Sequence, residues 1–224
     1  MMKEFLALAL YICFNFNLMS QQLPKLLYFG DPMCSWCYGF SPELSKVVDE
    51  LGSEIEMEMI MGGLRPYNAQ SMTELKSFLT DHWKEVNHRS GQEFKYGILD
   101  SEEITYDTEP PSRAFIIVRA LCPGDEFKFF KELQSLFYFE NKNMHLAETY
   151  FAAVEELGLS REEFVKHFES DFYKKEIKED FQKSSAMGVR GFPTLLLQKG
   201  EELYLISNGF MESASVIGRI KAKL

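Results

Sequence analysis

Asp31-Pro32-Met33-Cys34-Ser35-Trp36-Cys37-Tyr38-Gly39-Phe40-Ser41-Pro42 decides how this chain folds. Just before the cysteines, Leu26-Leu27-Tyr28-Phe29 reads as a short buried β-strand, closed by Gly30-Asp31-Pro32. Just after them, Leu44, Val47, Val48 and Leu51 share one face of an amphipathic helix that stops at Gly52. A Cys-x-x-Cys pair between a strand and a helix puts its first thiol at a helix N-terminus. Unpaired N–H groups and the positive end of the macrodipole lie there, and both favour a thiolate over a thiol. Thiol–disulfide exchange requires that bias. The spacing also lets Cys37, in the first helical turn, reach back to Cys34 and close a disulfide.

A lone Cys-x-x-Cys is also half of a zinc site, which needs two further ligands at matching spacing. Cys13 and Cys122 are isolated, and His82, His88, His145 and His167 are scattered along helix-like stretches, so no metal is expected. Two other features favour redox chemistry. Pro42 falls inside the helix that carries the thiols, where it should kink it. Gly188-Val189-Arg190-Gly191-Phe192-Pro193-Thr194 surrounds an X-Pro bond with glycines just before a strand from Thr194 to Leu197. A cis-proline is one way to build such a turn, and an ordinary strand entry is the other.

Four stretches carry a resemblance to the DsbA family of thioredoxin-like thiol–disulfide oxidoreductases, and to its FrnE-like branch. They are Asp31 to Pro42, Gly62-Gly63-Leu64-Arg65-Pro66, Asp107-Thr108-Glu109-Pro110-Pro111-Ser112-Arg113-Ala114, and the Gly188 to Thr194 turn. The resemblance implies that Cys34 is the attacking thiol, Cys37 the resolving thiol and Pro193 a cis-proline that faces them and pairs with substrate backbone. It also marks one departure. Family members commonly carry a buried acid six residues before the first cysteine, where it handles a proton for the resolving thiol. Tyr28 stands at that position here.

The rest of the chain reads as a βαβ unit, a long helical stretch and a ββα unit, that is, an α/β thioredoxin-like fold with a large inserted all-helical domain. The boundaries read from sequence are 1–21 for a leader or misassigned start, 22–66 and 186–224 for the thioredoxin-like domain, and 67–185 for the insert. A second strand is expected over Glu54 to Met61, where Glu54, Glu56 and Glu58 alternate with Ile55, Met57 and Met59. Its methionines read as a core face rather than a copper site.

In the insert, Ser71-Met72-Thr73-Glu74 is a capping box, with Leu75, Phe78, Leu79 and Val86 following at helical spacing. Pro110-Pro111 precedes an apolar helix from Ala114 to Leu121, and Phe127, Phe130, Leu133 and Phe137 mark the next. Another helix is expected from Leu146 to Leu157, and Ser160-Arg161-Glu162-Glu163 opens one carrying Phe164 and Phe168. After Pro193, strands Thr194–Leu197 and Glu202–Ile206 flank a Lys199-Gly200 turn, and a last helix runs from Met211 to Ala222.

With 224 residues and 46% hydrophobic content, the chain can bury a sizeable core, and its 20 phenylalanines suit a filled apolar interior. A net charge of −10 without a Lys/Arg cluster argues against a nucleic-acid partner. Phe5 to Phe14 is too short to span a bilayer, so no stable membrane insertion is expected. It reads either as a signal-peptide core or as residues ahead of a true start at Met19. Glu4, Asn15, Asn17 and the lack of an A-x-A-like site favour the second, and a cytoplasmic protein over an exported one.

The expected partners are protein or peptide thiols and disulfides, plus a redox partner that recycles the pair. The expected cofactor is none beyond the Cys34–Cys37 disulfide, with glutathione as an alternative co-substrate. Trp36, Phe192 and Pro193 are the candidate substrate-binding residues; Trp36 reads equally as packing against the insert. With uncharged Ser35 and Trp36 between the cysteines, a potential between the thioredoxin and DsbA extremes is expected. Arg190 reads as a solvated loop arginine and Cys122 as an inert buried cysteine. Two other functions remain open at this level: a glutathione-dependent isomerase or transferase, and a redox-sensing peptide-binding module.

Overall fold

Lys25–Gly30 forms β1, and its unbroken apolar run reflects burial on both faces. Leu26 and Tyr28 enter the main core, whereas Leu27 and Phe29 join Ile60 and Leu196 in a smaller cluster on the opposite face. β1 is accordingly central. It pairs in parallel with β2 (Glu56–Met61) and antiparallel with β3 (Thr194–Lys199). β3 in turn pairs antiparallel with β4 (Glu202–Asn208), giving the strand order β2-β1-β3-β4. The parallel pair requires a crossover, which helix α1 (Ser35–Leu51) supplies. This computed structural model describes residues 23–224, so Cys13, the Phe5 to Phe14 run and both readings of the N-terminus lie outside the described residues.

Between β2 and β3 come helices α2 (Met72–Ser90), α3 (Glu109–Leu121), α4 (Glu126–Tyr138), α5 (Phe151–Glu156), α6 (Arg161–Phe168) and α7 (Asp171–Ala186). Helix α8 (Ser213–Lys221) follows β4 and packs beside α1. Buried side chains of the sheet, α1 and the inserted helices form one continuous apolar cluster. Among the described residues no helix is long and apolar enough to cross a membrane.

Element ends differ from the sequence reading for local reasons. β2 begins at Glu56 rather than Glu54, because the Glu54 and Ile55 N–H groups still bond to the Leu51 carbonyl at the end of α1. The Glu56 N–H is the first to leave that turn, bonding to the Pro24 carbonyl. Pro110 and Pro111 lie inside the first turn of α3, where a missing N–H costs nothing, so the helix starts at Glu109. Leu146 to Leu157 divides into a 3-10 turn (Ala147–Tyr150) and α5. The capping box at Ser71 and Glu74 forms with both of its bonds.

β2 is an edge strand, and two inserted helices close its edge. Arg119 of α3 donates to the Met59 carbonyl at 3.0 Å, while Asp180 of α7 accepts the Met61 N–H at 2.9 Å. Arg119 and Asp180 also pair with each other at 2.8 and 3.0 Å, so together they occupy the ladder positions of a missing strand.

Candidate active site

Cys34 caps the N-terminus of α1, and its Sγ accepts the Cys37 backbone N–H at 3.3 Å. On the other side, the Cys34 thiol donates to the Phe192 carbonyl at 3.5 Å. That carbonyl belongs to the Phe192–Pro193 peptide, which is cis. Cys34 is 4% exposed and Cys37 is fully buried, so the first cysteine of the pair lies nearer the surface. Both are free thiols here. The donor on Cys34 Sγ is a helix N–H, the kind of group that stabilises thiolate charge at a helix start.

Burial pushes the Cys37 thiol well up from its ordinary range, and the adjacent Cys34 adds to the rise. Burial does the same to Tyr28, whose hydroxyl lies against Cys37. That hydroxyl has no partner of ordinary hydrogen-bond geometry among the described residues, a situation that costs about 1–3 kcal/mol in a protein interior. Asp31 is also fully buried, and its carboxyl is pushed up to about 6. Desolvation raises it, against the Met33 N–H at 2.9 Å on Oδ1 and the Leu64 N–H at 2.7 Å on Oδ2.

The four sequence stretches meet around this point. Thr108 accepts the Arg65 N–H at 3.1 Å, and its hydroxyl near Asp31 opposes the rise of that carboxyl. Asp107 accepts the Tyr67 N–H at 2.7 Å and the Glu109 N–H at 2.9 Å. Gly62 receives the Phe192 ring: a Cβ there would come within 2.8 Å of Cδ1. The Met33 carbonyl, one residue before Cys34, accepts from the hydroxyls of both Tyr106 and Tyr138, the latter at 2.5 Å. The insert thereby holds the loop that presents the first thiol.

The candidate residues fall into two groups. Cys34, Cys37, Trp36, Phe192 and Pro193 come together at one end of the sheet. Trp36 is half-buried and packs edge-on against His82 of α2 at 6.0 Å and near Phe210 at 6.3 Å. A cavity of about 470 Å³ opens beside it, lined by Trp36, Phe192, Gly209 and Phe210 with Glu85, His88 and Arg89. Arg190 is exposed in the loop, and Cys122 is half-buried at the end of α3. Phe78 keeps its helical spacing but is 57% exposed, stacked on His82 at 5.6 Å. Among the described residues no group of three or more His, Cys, Asp or Glu side chains is placed to hold a metal ion.

Sequence reasoning singled out Asp31 and Thr108 only as parts of motifs, and it missed Tyr106, Tyr138 and Phe210. Tyr106 borders the Asp107-Thr108 stretch, which was a usable signal. Tyr138 and Phe210 lie on distant elements, and nothing local marks them.

Known proteins with this arrangement are recognisable at three levels. A curated relative, the ClpXP adapter protein SpxH of Halalkalibacterium halodurans, is 24% identical over 181 residues. That alignment covers 77% of this chain and 58% of the relative, so the chain spans less than two thirds of the relative's length. Among solved structures, a provisionally named protein disulfide isomerase from Nitrosomonas europaea superimposes with a TM-score of 0.80 at 29% identity, covering 90% of this chain and 97% of that one. The cytosolic disulfide reductase DsbM from Pseudomonas aeruginosa gives 0.72 at 22% identity, covering 89% and 98%, and has also been solved with GSH. Such neighbours share the DsbA-type plan of a thioredoxin sheet interrupted by helices. The sequence model described as Thioredoxin matches residues 27–210, which includes every residue placed in this site, and the chain therefore belongs to the thioredoxin family.

Proposed function

We propose that the protein is a thiol–disulfide oxidoreductase of the DsbA kind, acting on protein or peptide thiols and disulfides through Cys34 and Cys37. The Cys34 thiolate attacks a substrate disulfide, and Cys37 then resolves the mixed disulfide and releases reduced substrate. In reverse, the Cys34–Cys37 disulfide oxidises a dithiol. One observation carries this reading: Cys34 Sγ sits on the N-terminus of α1, 3.3 Å from the Cys37 N–H, and faces the Phe192 carbonyl at 3.5 Å. Phe192 and Pro193 offer backbone to a substrate segment beside the reacting sulfur, and Trp36 offers an apolar ring. The chemistry needs no metal or organic cofactor, only a redox partner to recycle the pair. The four motif stretches support assignment to the FrnE-like branch.

A Cys37→Ala variant tests the proposal directly. It is expected to accumulate mixed disulfides on Cys34 that dissolve in reductant, whereas Cys34→Ala accumulates none. Absence of such adducts with every protein disulfide offered would sink the proposal. The reduction potential then gives direction. A value near DsbA's about −120 mV fits a disulfide donor in an exported setting, and one near thioredoxin's about −270 mV fits a reductase or isomerase in a reducing cytosol. The uncharged Ser35-Trp36 dipeptide supports a value between them.

The cavity of about 470 Å³ beside Trp36 favours a second reading, in which glutathione is the co-substrate. Arg89, which lines the cavity and also pairs with Glu212 at 3.4 Å, suits a carboxylate of that tripeptide. Retained glutathione turnover in Cys37→Ala would favour this reading.

A further inference from the structure

The exchange chemistry above leaves one buried polar group without a task. The Tyr28 hydroxyl is sealed from solvent, has no partner of ordinary hydrogen-bond geometry among the described residues, and lies against the Cys37 thiol. Its ring cannot carry it elsewhere. Phe40 stacks over it with centroids 6.5 Å apart, and Phe130 meets it edge-on at 5.7 Å. Gly30 closes the remaining side, since a Cβ there would come within 2.7 Å of the hydroxyl oxygen. The glycine that ends β1 is what admits a tyrosine at this depth.

Cys37 is equally enclosed. Cys34, the Tyr28 hydroxyl and the Asp31 backbone N–H are the groups that act on its thiol. A sulfur held away from water cannot carry negative charge without donors. We propose that the Tyr28 hydroxyl is the side-chain donor that stabilises the Cys37 thiolate, and so sets the rate at which Cys37 resolves a mixed disulfide. The inference rests on the exchange reading above and deepens it.

In resolution, Cys37 Sγ attacks Cys34 Sγ, the bond from Cys34 to the substrate sulfur breaks, and that sulfur leaves with the electron pair. The proton that Cys37 gives up ends on the departing substrate sulfur. When an incoming thiolate instead opens the Cys34–Cys37 disulfide, the electron pair leaves on Cys37 Sγ, beside the Tyr28 O–H. Tyr28 keeps its own proton throughout, because burial and the neighbouring sulfurs raise its pKa well above the ordinary 10.0. It acts as a donor, where an acid at the same position would act as a base. The other titratable groups facing Tyr28 and Cys37 are Cys34 and Asp31; Tyr106 and Tyr138 reach the same loop from the insert but bond to the Met33 carbonyl.

Tyr28→Phe removes the hydroxyl and keeps the ring. Rapid mixing with a disulfide peptide separates adduct formation on Cys34 from release by Cys37. The variant should form the adduct within about twofold of the wild-type rate and release it on the order of tenfold more slowly, the factor one hydrogen bond to a charged group is worth. The pH midpoint of the release step, and the NMR titration of a ¹³C-labelled Cys37 Cβ, should both move up by about one unit. Replacing Tyr28 with 3-fluorotyrosine, a more acidic phenol, should instead speed release.

An unchanged release rate with an unmoved Cys37 titration would overturn the inference, and so would an equal slowing of both steps. A wild-type chain that forms no adduct at all would overturn the exchange reading. In that case the Cys37 titration still decides whether the hydrogen bond exists.

Discussion

Asp31 shows how burial and hydrogen bonding compete at a single residue. Two backbone N–H groups and a threonine hydroxyl favour its charged form, yet desolvation outweighs them and holds the carboxyl at about 6 against an ordinary 3.8. Between those pH values the folded protein keeps a proton that the unfolded chain has lost. The stability this group contributes is therefore full at low pH and declines as pH rises through about 6, by on the order of 3 kcal/mol. Asp31→Asn should flatten the change in urea midpoint between about pH 4 and 6. If the Asp31→Asn variant kept the wild-type slope, another group would have to titrate there. The Cys-x-x-Cys pair was visible in the sequence because local spacing marks it, and the family resemblance pointed to Pro193 and to the unusual Tyr28. The burial that shifts Asp31 was not visible, nor were the opposing bonds, because the segments that enclose it, with Leu64 and Thr108 among them, come from elsewhere in the chain.

At the scale of elements, α1 carries a proline without losing its accounting of hydrogen bonds. Pro42 has no N–H for the Tyr38 carbonyl, and Gln92, just beyond α2, donates to that carbonyl at 3.2 Å instead. The sheet edge is managed in the same way, by side chains replacing backbone. Asp180→Ala would strand both the Arg119 guanidinium and the Met61 N–H, at a cost of about 2–4 kcal/mol in chemical denaturation. Adding Arg119→Ala to that variant should cost much less than its effect in the wild type, since the charge it removes has already lost its partner. Full additivity of the two losses would mean that the pair does not act as a unit. Helix α7, which supplies Asp180, lay within the stretch read as helical, but its sequence held no sign of an edge cap.

For the whole molecule, the consequence is a main core shared by the sheet, α1 and the insert. Trp83 of α2 is fully buried among Phe94, Phe137 and Tyr138, while Trp36 reports from α1. Trp36→Phe and Trp83→Phe variants each leave one reporter, and after correction for midpoint shifts each reporter should follow the same transition as the far-ultraviolet signal. A separate, earlier transition for Trp83 would mean that the insert unfolds by itself. Sequence alone determined the order of strands and helices and the position of the thiols at a helix start, because alternation, helical spacing and turn residues are local signals. Only the tertiary structure decided that Tyr106 and Tyr138 grip the Met33 carbonyl, that Phe192 fills the space over Gly62, and that the Tyr28 hydroxyl meets Cys37. Those contacts join residues far apart in the chain, and packing of the insert onto the sheet creates them.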